Sequence, residues 1–435
     1  MTVLSTPTPT PACGLTPRGG VAPGGFTPAF VGVCAALCAV AGWGAFAYSR
    51  QVVQGLAVTG MNDTVSWGLY MVDLIFLMGI GHAGTLFSAW ARLSGRGAGH
   101  PALRIAEVLP VVTVAVGAQF APLDLGRPER AHFVFLHARL QSPIVWDAVA
   151  INIYLLGSVI YLFATVLPDL ATVARAGGVP GWKRSVCGVL SLGYRGTPSQ
   201  AGRLRLATTV MAVTLIPVSI GAESVLALVF ANAQRPGWHS ALVAPTFVVG
   251  ACVTGTAVIL LTLVLVRAVY GLRAEVGWEQ VRPLSRILAG CLAVYGYLAC
   301  IEHVAGAYHA GVAEGRWSDA ILWGGYAGAF WLTMAAGVVV PFLLLALPGA
   351  GRMARAVIAC VCVVVGGYFK RLLFVVPALA YPLVPGAHAQ AAYRPTWVEW
   401  SVTGGAFALV VLAVMLLSRF VPLVPPASGR EGGAA

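Results

Sequence analysis

The sequence predicts an all-α integral membrane protein with about ten transmembrane helices. Of its 435 residues, 58% are hydrophobic and only 10% are charged, whereas a soluble domain usually has about 25% charged residues. A soluble globule of this size needs a polar surface, and this composition does not supply one. We therefore expect lipid to surround most of the chain, with long apolar runs as the helices.

Ten apolar runs are long enough to cross a bilayer, which takes about 20 helical residues. They cover 28–49, 65–92, 102–122, 143–167, 206–231, 241–270, 286–312, 318–347, 354–383 and 397–422. The runs are too continuous for barrel strands, and only helices satisfy the backbone within one segment. We expect a single transmembrane domain over 28–422, with flexible cytoplasmic tails at 1–27 and 423–435.

The basic residues predict how the chain is oriented. Counting the tails, the loops and the ends of the runs, 18 Lys and Arg lie on the side of the two termini and 7 lie on the other side. Because positive loops stay in the cytoplasm, both termini are predicted to be cytoplasmic, in a multi-pass protein of the bacterial inner membrane. The net charge of +12 then reflects orientation and not a nucleic-acid partner.

The nine cysteines do not form a pattern that binds metal. None of them forms a C-x-x-C pair, and seven lie within apolar runs. We interpret them as small buried hydrophobic residues, so the sequence predicts no metal site.

Ionisable side chains inside the runs indicate a functional site, because burying them in lipid is costly. Asp73, Asp147, Glu223 and Glu302 come from four different runs. Each is predicted to lie roughly 7–15 Å below the outer surface, at 1.5 Å per helical residue. We expect these acids to meet in one pocket that binds a polar headgroup and accepts protons from it, as quinol oxidation requires.

The seventh run adds a polar stripe. Tyr295, Glu302 and His309 recur every seven residues, which keeps them within about 40° around a helix. Lys370 and Arg371 lie near the middle of the ninth run, where they would offset some of the acidic charge.

Three other interpretations stay open at this stage. His82 and His303 could ligate haem as a b-type cytochrome. An ion-coupled transporter would also use intramembrane acids, with Pro217 and the Gly366-Gly367 pair as its candidate helix breaks. A purely structural anchor would use the buried charges only to hold helices together.

Several segments resemble a known family. They are WGLYMVDLIFLMGIGHAGTLFSAWARL (67–93), PLDLGRPERAHF (122–133), SPIVWDAVAINIY (142–154) and PGWHSALVAPTFVVGA (236–251). They are similar to the NrfD/PsrC membrane subunits of polysulfide-reductase-type complexes, and most resemble the ActC/ActF subunits of alternative complex III.

The resemblance implies two four-helix bundles plus extra helices, with no haem or iron–sulfur cluster in this chain. Menaquinone or ubiquinone would be the substrate near the outer face, and electrons would pass to a periplasmic iron–sulfur subunit, with a molybdopterin or multihaem cytochrome subunit as a further partner. Asp73, His82, Asp147 and Glu302 match the family pattern. Two positions depart from it: Glu223 stands where a His is expected, and Lys370 stands where an acid precedes Arg.

The predicted function is a quinol-oxidising membrane subunit that is not catalytic alone. Asp73, Glu223, Glu302 and His309 would line the headgroup pocket, with Tyr295 deeper in it. Asp147 would accept or relay a proton, and the predicted proton relay, which could support proton translocation, consists of His82, Lys370 and Arg371.

Overall fold

A computed structural model of the chain describes residues 27–95, 100–176, 179–233, 235–273, 275–309, 312–381 and 393–420. The predicted tails at 1–27 and 423–435 lie almost entirely outside the described residues. Within these ranges, ten helices are long and apolar enough to cross a membrane. In chain order they are α1 (Pro28–Gln54), α2 (Leu69–Leu93), α3 (Ala102–Leu123), α4 (Pro143–Arg175), α5 (Pro198–Ala231), α6 (Val243–Val269), α7 (Trp278–His309), α8 (Ala327–Ala346), α9 (Arg352–Ala380) and α10 (Trp397–Leu417).

Caps fix several of the helix starts that the sequence predicts. The side chain of Thr27 accepts a hydrogen bond from the Phe30 N–H at 3.2 Å, and Pro28 opens α1. Thr396 and Glu399 form a capping box at the start of α10. Such residues bond amide groups that have no partner within the helix, and proline fits the first helical turn.

The eighth predicted helix, 318–347, was predicted to begin too early in the chain. A separate short helix, Val312–Leu322, comes first, and α8 begins only at Ala327. Gly324 lies between the two helices and donates its amide hydrogen to the Asp319 carbonyl at 2.8 Å, a bond that ends the first helix. A Cβ at Gly324 would meet the Ala320 backbone, so the turn favours glycine.

The helices form two bundles and a flanking pair. Helices α2–α5 pack around one another, and α6–α9 do the same, while α1 packs against α10. The expected two four-helix bundles plus extra helices are therefore present. Helix α2 is buried along nearly its whole length, whereas α1 is mostly exposed. Polar residues of α2 therefore face protein and not lipid.

The helices expected to break in a transporter are continuous. Helix α9 runs through Gly366 and Gly367, and α5 runs through Pro217. A Cβ on Gly366 would collide with the backbone of Gly337 in α8. The glycines therefore allow two helices to approach closely, as small residues often do in membranes.

We call the membrane side where α1 begins and α10 ends the terminal side, and the other the opposite side. Helix α6 begins on the opposite side and α9 ends there.

Candidate functional site

A cavity lies in the second bundle. Side chains of α6, α7, α8 and α9 form most of its wall, and α2 and α5 close it toward the first bundle. Its α6 wall runs from Val243 to Thr254, which spans roughly 16 Å down from the opposite side. A mostly apolar wall with a few polar side chains is typical of small-molecule sites.

The ionisable side chains on the described cavity wall all belong to the predicted site. They are Glu223, Tyr295, Glu302, Lys370 and Arg371. Two carboxylates and two cations thus face one apolar space. At ordinary ionisation their charges balance, which lowers the cost of burying them.

Glu223 pairs with His82 at the wall toward the first bundle. Its Oε2 atom lies 2.5 Å from Nδ1 of His82, and both side chains are almost completely buried. Its other oxygen, Oε1, has no hydrogen-bond partner among the described residues, and neither does Nε2 of His82. The His82 ring packs against Tyr154 with 4.3 Å between ring centroids. Two of the predicted site residues therefore form a buried pair.

The two cations of α9 are held differently. The Arg371 guanidinium donates to the Gly367 carbonyl at 2.9 Å and to the Thr254 hydroxyl at 3.2 Å. The Lys370 ammonium lies 5.0 Å from the centre of the Phe330 ring. Arg371 is therefore fixed by hydrogen bonds, whereas Lys370 is placed against an aromatic face.

Asp73 is not part of the cavity wall within the described residues. Its helix begins at Leu69, later than predicted, so Asp73 lies only about 6 Å into α2. Its carboxylate accepts hydrogen bonds from Tyr368 at 2.7 Å and Thr403 at 2.5 Å, between α9 and α10. The prediction that all four acids meet in one pocket is therefore wrong for Asp73, because this face of α2 points toward other helices.

Asp147 and His309 also fall outside the described cavity wall. Asp147 lies near the start of α4 in the first bundle, and its Oδ1 atom is buried with no hydrogen-bond partner in the described ranges. His309 is the last residue of α7, and its side chain lies outside the part of the chain that the structure describes. The predicted roles of Asp73, Asp147 and His309 stay predictions.

The two histidines considered for haem lie in different surroundings. His82 is bonded to Glu223, whereas His303 packs against Trp317 and Phe330 with ring centroids 6.2 and 4.9 Å away. No group of three His, Cys, Asp or Glu side chains in the described ranges could hold a metal ion. The described pairing of His82 favours a role with Glu223.

A second network, centred on Glu399, lies on the opposite side, where α10 begins. Glu399 accepts hydrogen bonds from the Tyr393 hydroxyl at 2.6 Å and the Gly60 amide at 2.7 Å. Burial and this hydrogen bond raise the pKa of Tyr393. Burial, with the Glu399 charge, raises the pKa of Asp124, just beyond the end of α3, to about 7. The network ties the segment before α2 to the start of α10.

Sequence reasoning missed several residues that the structure makes important. Glu107 and Glu399 are acids inside predicted runs, so the rule that identified Asp73 should have identified them as well. Tyr154 and Thr246, in contrast, are neutral residues whose contacts depend on helix rotation. The Thr246 hydroxyl lies on the cavity wall without a hydrogen-bond partner among the described residues.

The fold defines a multi-pass membrane protein with a cavity between its helices. The chain belongs to the NrfD family of polysulphide reductases, since the model of that family matches residues 57–382.

Several relatives match most of the chain. A protein of Halobacterium salinarum, provisionally named as a membrane subunit of dimethyl sulfoxide reductase, is 32% identical over 89% of this chain and 90% of its own length. The integral membrane subunit of menaquinone reductase from Nitratidesulfovibrio vulgaris is 24% identical over 88% of this chain and 89% of its own. The integral membrane subunit of the Hdr-like menaquinol oxidoreductase from Archaeoglobus fulgidus is 21% identical over 91% and 94%.

Proposed function

We propose that this chain is the quinone-binding membrane subunit of a multi-subunit oxidoreductase, and that the cavity between α6 and α9 binds the quinone headgroup. The observation that carries the proposal is a pair of oxygens without described partners, Glu223 Oε1 and Thr246 Oγ1, on two residues that line this mostly apolar cavity. Buried polar atoms nearly always have partners, so such atoms point to a ligand or water. A quinone headgroup offers two oxygens on a flat apolar ring and matches this wall.

Glu223 is the proton acceptor in this proposal. A quinol hydroxyl must lose its proton as it is oxidised, and a carboxylate within hydrogen-bond reach can take it. His82 is bonded to the far oxygen of Glu223 at 2.5 Å, so the proton has a next position away from the substrate. Proton acceptors of this kind contribute about 10²–10⁴ in rate.

Lys370 and Arg371 would place positive charge beside the same headgroup. Arg371 is fixed by Gly367 and Thr254, and both cations line the cavity. A positive charge beside a quinone oxygen stabilises the negative charge that develops there when a proton leaves before the electrons do. Glu302 and Tyr295 complete the polar part of the wall.

The names of two relatives support a quinone as the substrate. One relative belongs to a menaquinone reductase and another to a menaquinol oxidoreductase. We assign menaquinol oxidation to this chain as the direction, and alternative complex III is the complex type that the sequence resembles. Electrons would leave to an iron–sulfur subunit on the periplasmic side, with both termini in the cytoplasm.

The segment between α3 and α4 offers a contact surface for that partner. It lies on the opposite side and exposes Phe135, Leu136 and Leu140, with 51–70% of each residue accessible. Exposed apolar clusters of this kind often contact another protein or lipid. A partner seated there would be on the same side as the cavity.

The decisive variant is Glu223→Gln in the purified complex. We expect menaquinol turnover to fall about 100-fold or more, because glutamine cannot accept the proton. Ser224→Ala is the matched control, since the Ser224 hydroxyl is exposed and bonds only to the Ile220 carbonyl among the described groups. Turnover by Glu223→Gln equal to that of the control, in fully assembled complex, would rule out Glu223 as the acceptor.

A further inference from the structure

A short helix, Gly181–Leu190, connects α4 to α5 on the terminal side, and we call it the connecting helix. One of its faces is buried, because Lys183 and Cys187 are at most 8% exposed. Cys187 belongs to an apolar cluster with Leu170 of α4, and the Lys183 ammonium donates to the carbonyl of Arg419, just beyond α10. The connecting helix is therefore fixed against the terminal-side ends of two transmembrane helices.

A second face of the connecting helix is apolar and exposed. Trp182, Val186 and Val189 recur every three or four residues, which keeps them within about 60° around the helix. They are 51%, 40% and 76% exposed. Arg184 and Gly188 lie on the opposite face, which is also exposed. An apolar face with Trp and a polar face with Arg are typical of helices that lie in the plane of the membrane interface.

The connecting helix packs at the level of that interface. Helix α4 has 33 residues and is about 50 Å long, whereas the hydrocarbon core is about 30 Å thick. If the excess is shared equally, about 10 Å of α4 lies outside the core at each end. Leu170 comes shortly before Arg175, the last residue of α4, and so lies about 8 Å from that end. The apolar face of the connecting helix is therefore next to the acyl chains.

Leu192, just beyond the connecting helix, has a backbone conformation that costs energy. Its φ is 49°, in the left-handed region that leucine avoids and that glycine or asparagine adopts readily. Its amide donates to the Val189 carbonyl at 3.2 Å, and the residue is 74% exposed, so little packing within the described chain offsets this cost. A strained residue of this kind points to a function for its side chain. Contact of Leu192 with acyl chains, beside Val189, gives it one.

The charges around the connecting helix are all positive. Between Asp169 and Glu223 the sequence contains six Lys and Arg and no acid. Four of the six are exposed, and their guanidinium groups have no hydrogen-bond or ion-pair partner among the described residues; they are Arg184, Arg195, Arg203 and Arg205. An anionic partner is the electrostatic complement of such a surface.

Arg203 lies where this positive charge meets lipid. On α5 it is in line with Leu206 and Val210, which are 66% and 52% exposed. An arginine at the end of a lipid-facing stripe is placed to bond a phosphate at the level of the headgroups. The next terminal-side segment differs, because Glu275 and Glu279 lie among its arginines. Unbalanced positive charge and exposed apolar side chains thus occur together at the connecting helix and α5.

We propose that the connecting helix and the first turns of α5 form a binding surface for an anionic phospholipid in the terminal-side leaflet. The arginines bond the headgroup phosphate, and Val189 and Leu192 contact the acyl chains. Lipid fits this surface better than an acidic soluble protein does, because the apolar face lies at the level of the acyl chains. The proposal does not depend on the quinone site.

Titration of the delipidated full chain with phospholipid, followed by native mass spectrometry, tests the proposal. The probes are dioleoyl phosphatidylglycerol and its neutral counterpart, dioleoyl phosphatidylcholine. We expect the wild type to bind the anionic lipid roughly tenfold more tightly than the neutral lipid at low salt. Because exposed charges are screened by salt, we expect this preference to shrink at about 0.5 M NaCl.

Arg184→Gln together with Arg203→Gln tests the charged part of the surface. We expect affinity for phosphatidylglycerol to fall about 10- to 30-fold, or about fivefold for each arginine, with affinity for phosphatidylcholine unchanged. Arg273→Gln together with Arg286→Gln is the control, since it removes the same charge from exposed residues on the same side. We expect the control to keep the affinity of the wild type.

Leu192→Asn tests the apolar part without disturbing the backbone, because asparagine adopts the left-handed conformation readily. We expect the unfolding temperature to stay equal or rise, and phosphatidylglycerol to bind about fivefold more weakly, since apolar contact is lost. Leu347→Asn, at an apolar residue on the terminal side that is 56% exposed, is the control and should not change lipid binding.

Three outcomes overturn the proposal. Equal losses of affinity in the two double-arginine variants would mean that the terminal side as a whole attracts the lipid, and not this surface. Wild-type lipid binding by Leu192→Asn would show that the apolar face does not contact acyl chains. An acidic protein in place of the lipid would leave both lipids bound equally and would protect Arg184 from phenylglyoxal only in the intact complex.

Discussion

Two buried glutamates show how differently this protein treats charge inside the membrane. Both oxygens of Glu107 are paired, with Arg92 at 2.7 Å and Arg104 at 3.0 Å. Glu223 has one oxygen bonded to His82 and the other without a described partner at a cavity wall. The fully paired acid is suited to hold helices α2, α3 and α4 together, and the half-paired acid is suited to act on a ligand.

The difference teaches that the burial of a charge alone does not identify a site. Removing one member of a buried, paired set leaves an uncompensated charge and destabilises the protein. Removing Glu223 leaves only His82 without its described partner, so it should cost less stability than removing Glu107, on which two arginines depend. The two glutamates should therefore respond to substitution to different degrees.

The largest expected effect is on stability, when the fully paired acid Glu107 is replaced. We expect Glu107→Ala to lower the free energy of unfolding by about 3–5 kcal/mol, because it leaves Arg92 and Arg104 without their shared acid. Thermal unfolding of the detergent-solubilised protein measures this. Glu279→Ala removes an exposed acid from the terminal side and should leave the unfolding temperature nearly unchanged. Equal unfolding temperatures for both variants would mean that the network does not stabilise the fold.

The second prediction concerns binding at the cavity wall that Glu223 and Thr246 share. We expect Thr246→Val to weaken menaquinol binding roughly 3- to 10-fold, the value of about one hydrogen bond, with no loss of unfolding temperature. The hydroxyl has no described protein partner, so its removal costs no internal bond.

Thr256→Val, in the same helix and also buried, is the matched control. If Thr256→Val weakens binding as much as Thr246→Val, then the effect comes from helix packing and not from a contact with the headgroup.

The third and smallest prediction concerns Asp124, which is outside the membrane spans. Burial, then the charge of Glu399, raises its pKa from 3.8 to about 7. A carboxyl with a raised pKa in the folded state contributes stability below its unfolded pKa and loses it as the pH rises through about 7.

Asp124→Asn removes this dependence, so we expect the variant to unfold about 5 °C above the wild type at pH 8 and to show a clearly smaller gain at pH 5, which lies between the unfolded pKa of 3.8 and the folded pKa of about 7. Differential scanning at both pH values measures the change, with the exposed acid variant Asp63→Asn as the control. A constant difference between variant and wild type at the two pH values would contradict the raised pKa.

The sequence predicted the spans and the family well, because both depend on long apolar runs and on residues close together in the chain. It also predicted that Tyr295 and Glu302 share a surface, since seven residues separate them on one helix, and both line the cavity. Helical periodicity fixes such relations without knowledge of the neighbours.

The sequence could not predict which acids meet. The placement of Asp73 depends on where α2 begins and on the rotation of α9 and α10, which bring Tyr368 and Thr403 to its carboxylate. These partners are neutral residues with no pattern of their own. The pairing of Glu223 with His82 likewise arises between distant positions, 141 residues apart.

Photolabelling tests the quinone site most directly. The intact complex is irradiated with an azido-menaquinone, and labelled peptides are identified by mass spectrometry. We predict labels on cavity residues of α6, α7 and α9, lost when excess menaquinone is present. Labels confined to α1 and α10, or cavity labels that excess menaquinone does not remove, would contradict the site.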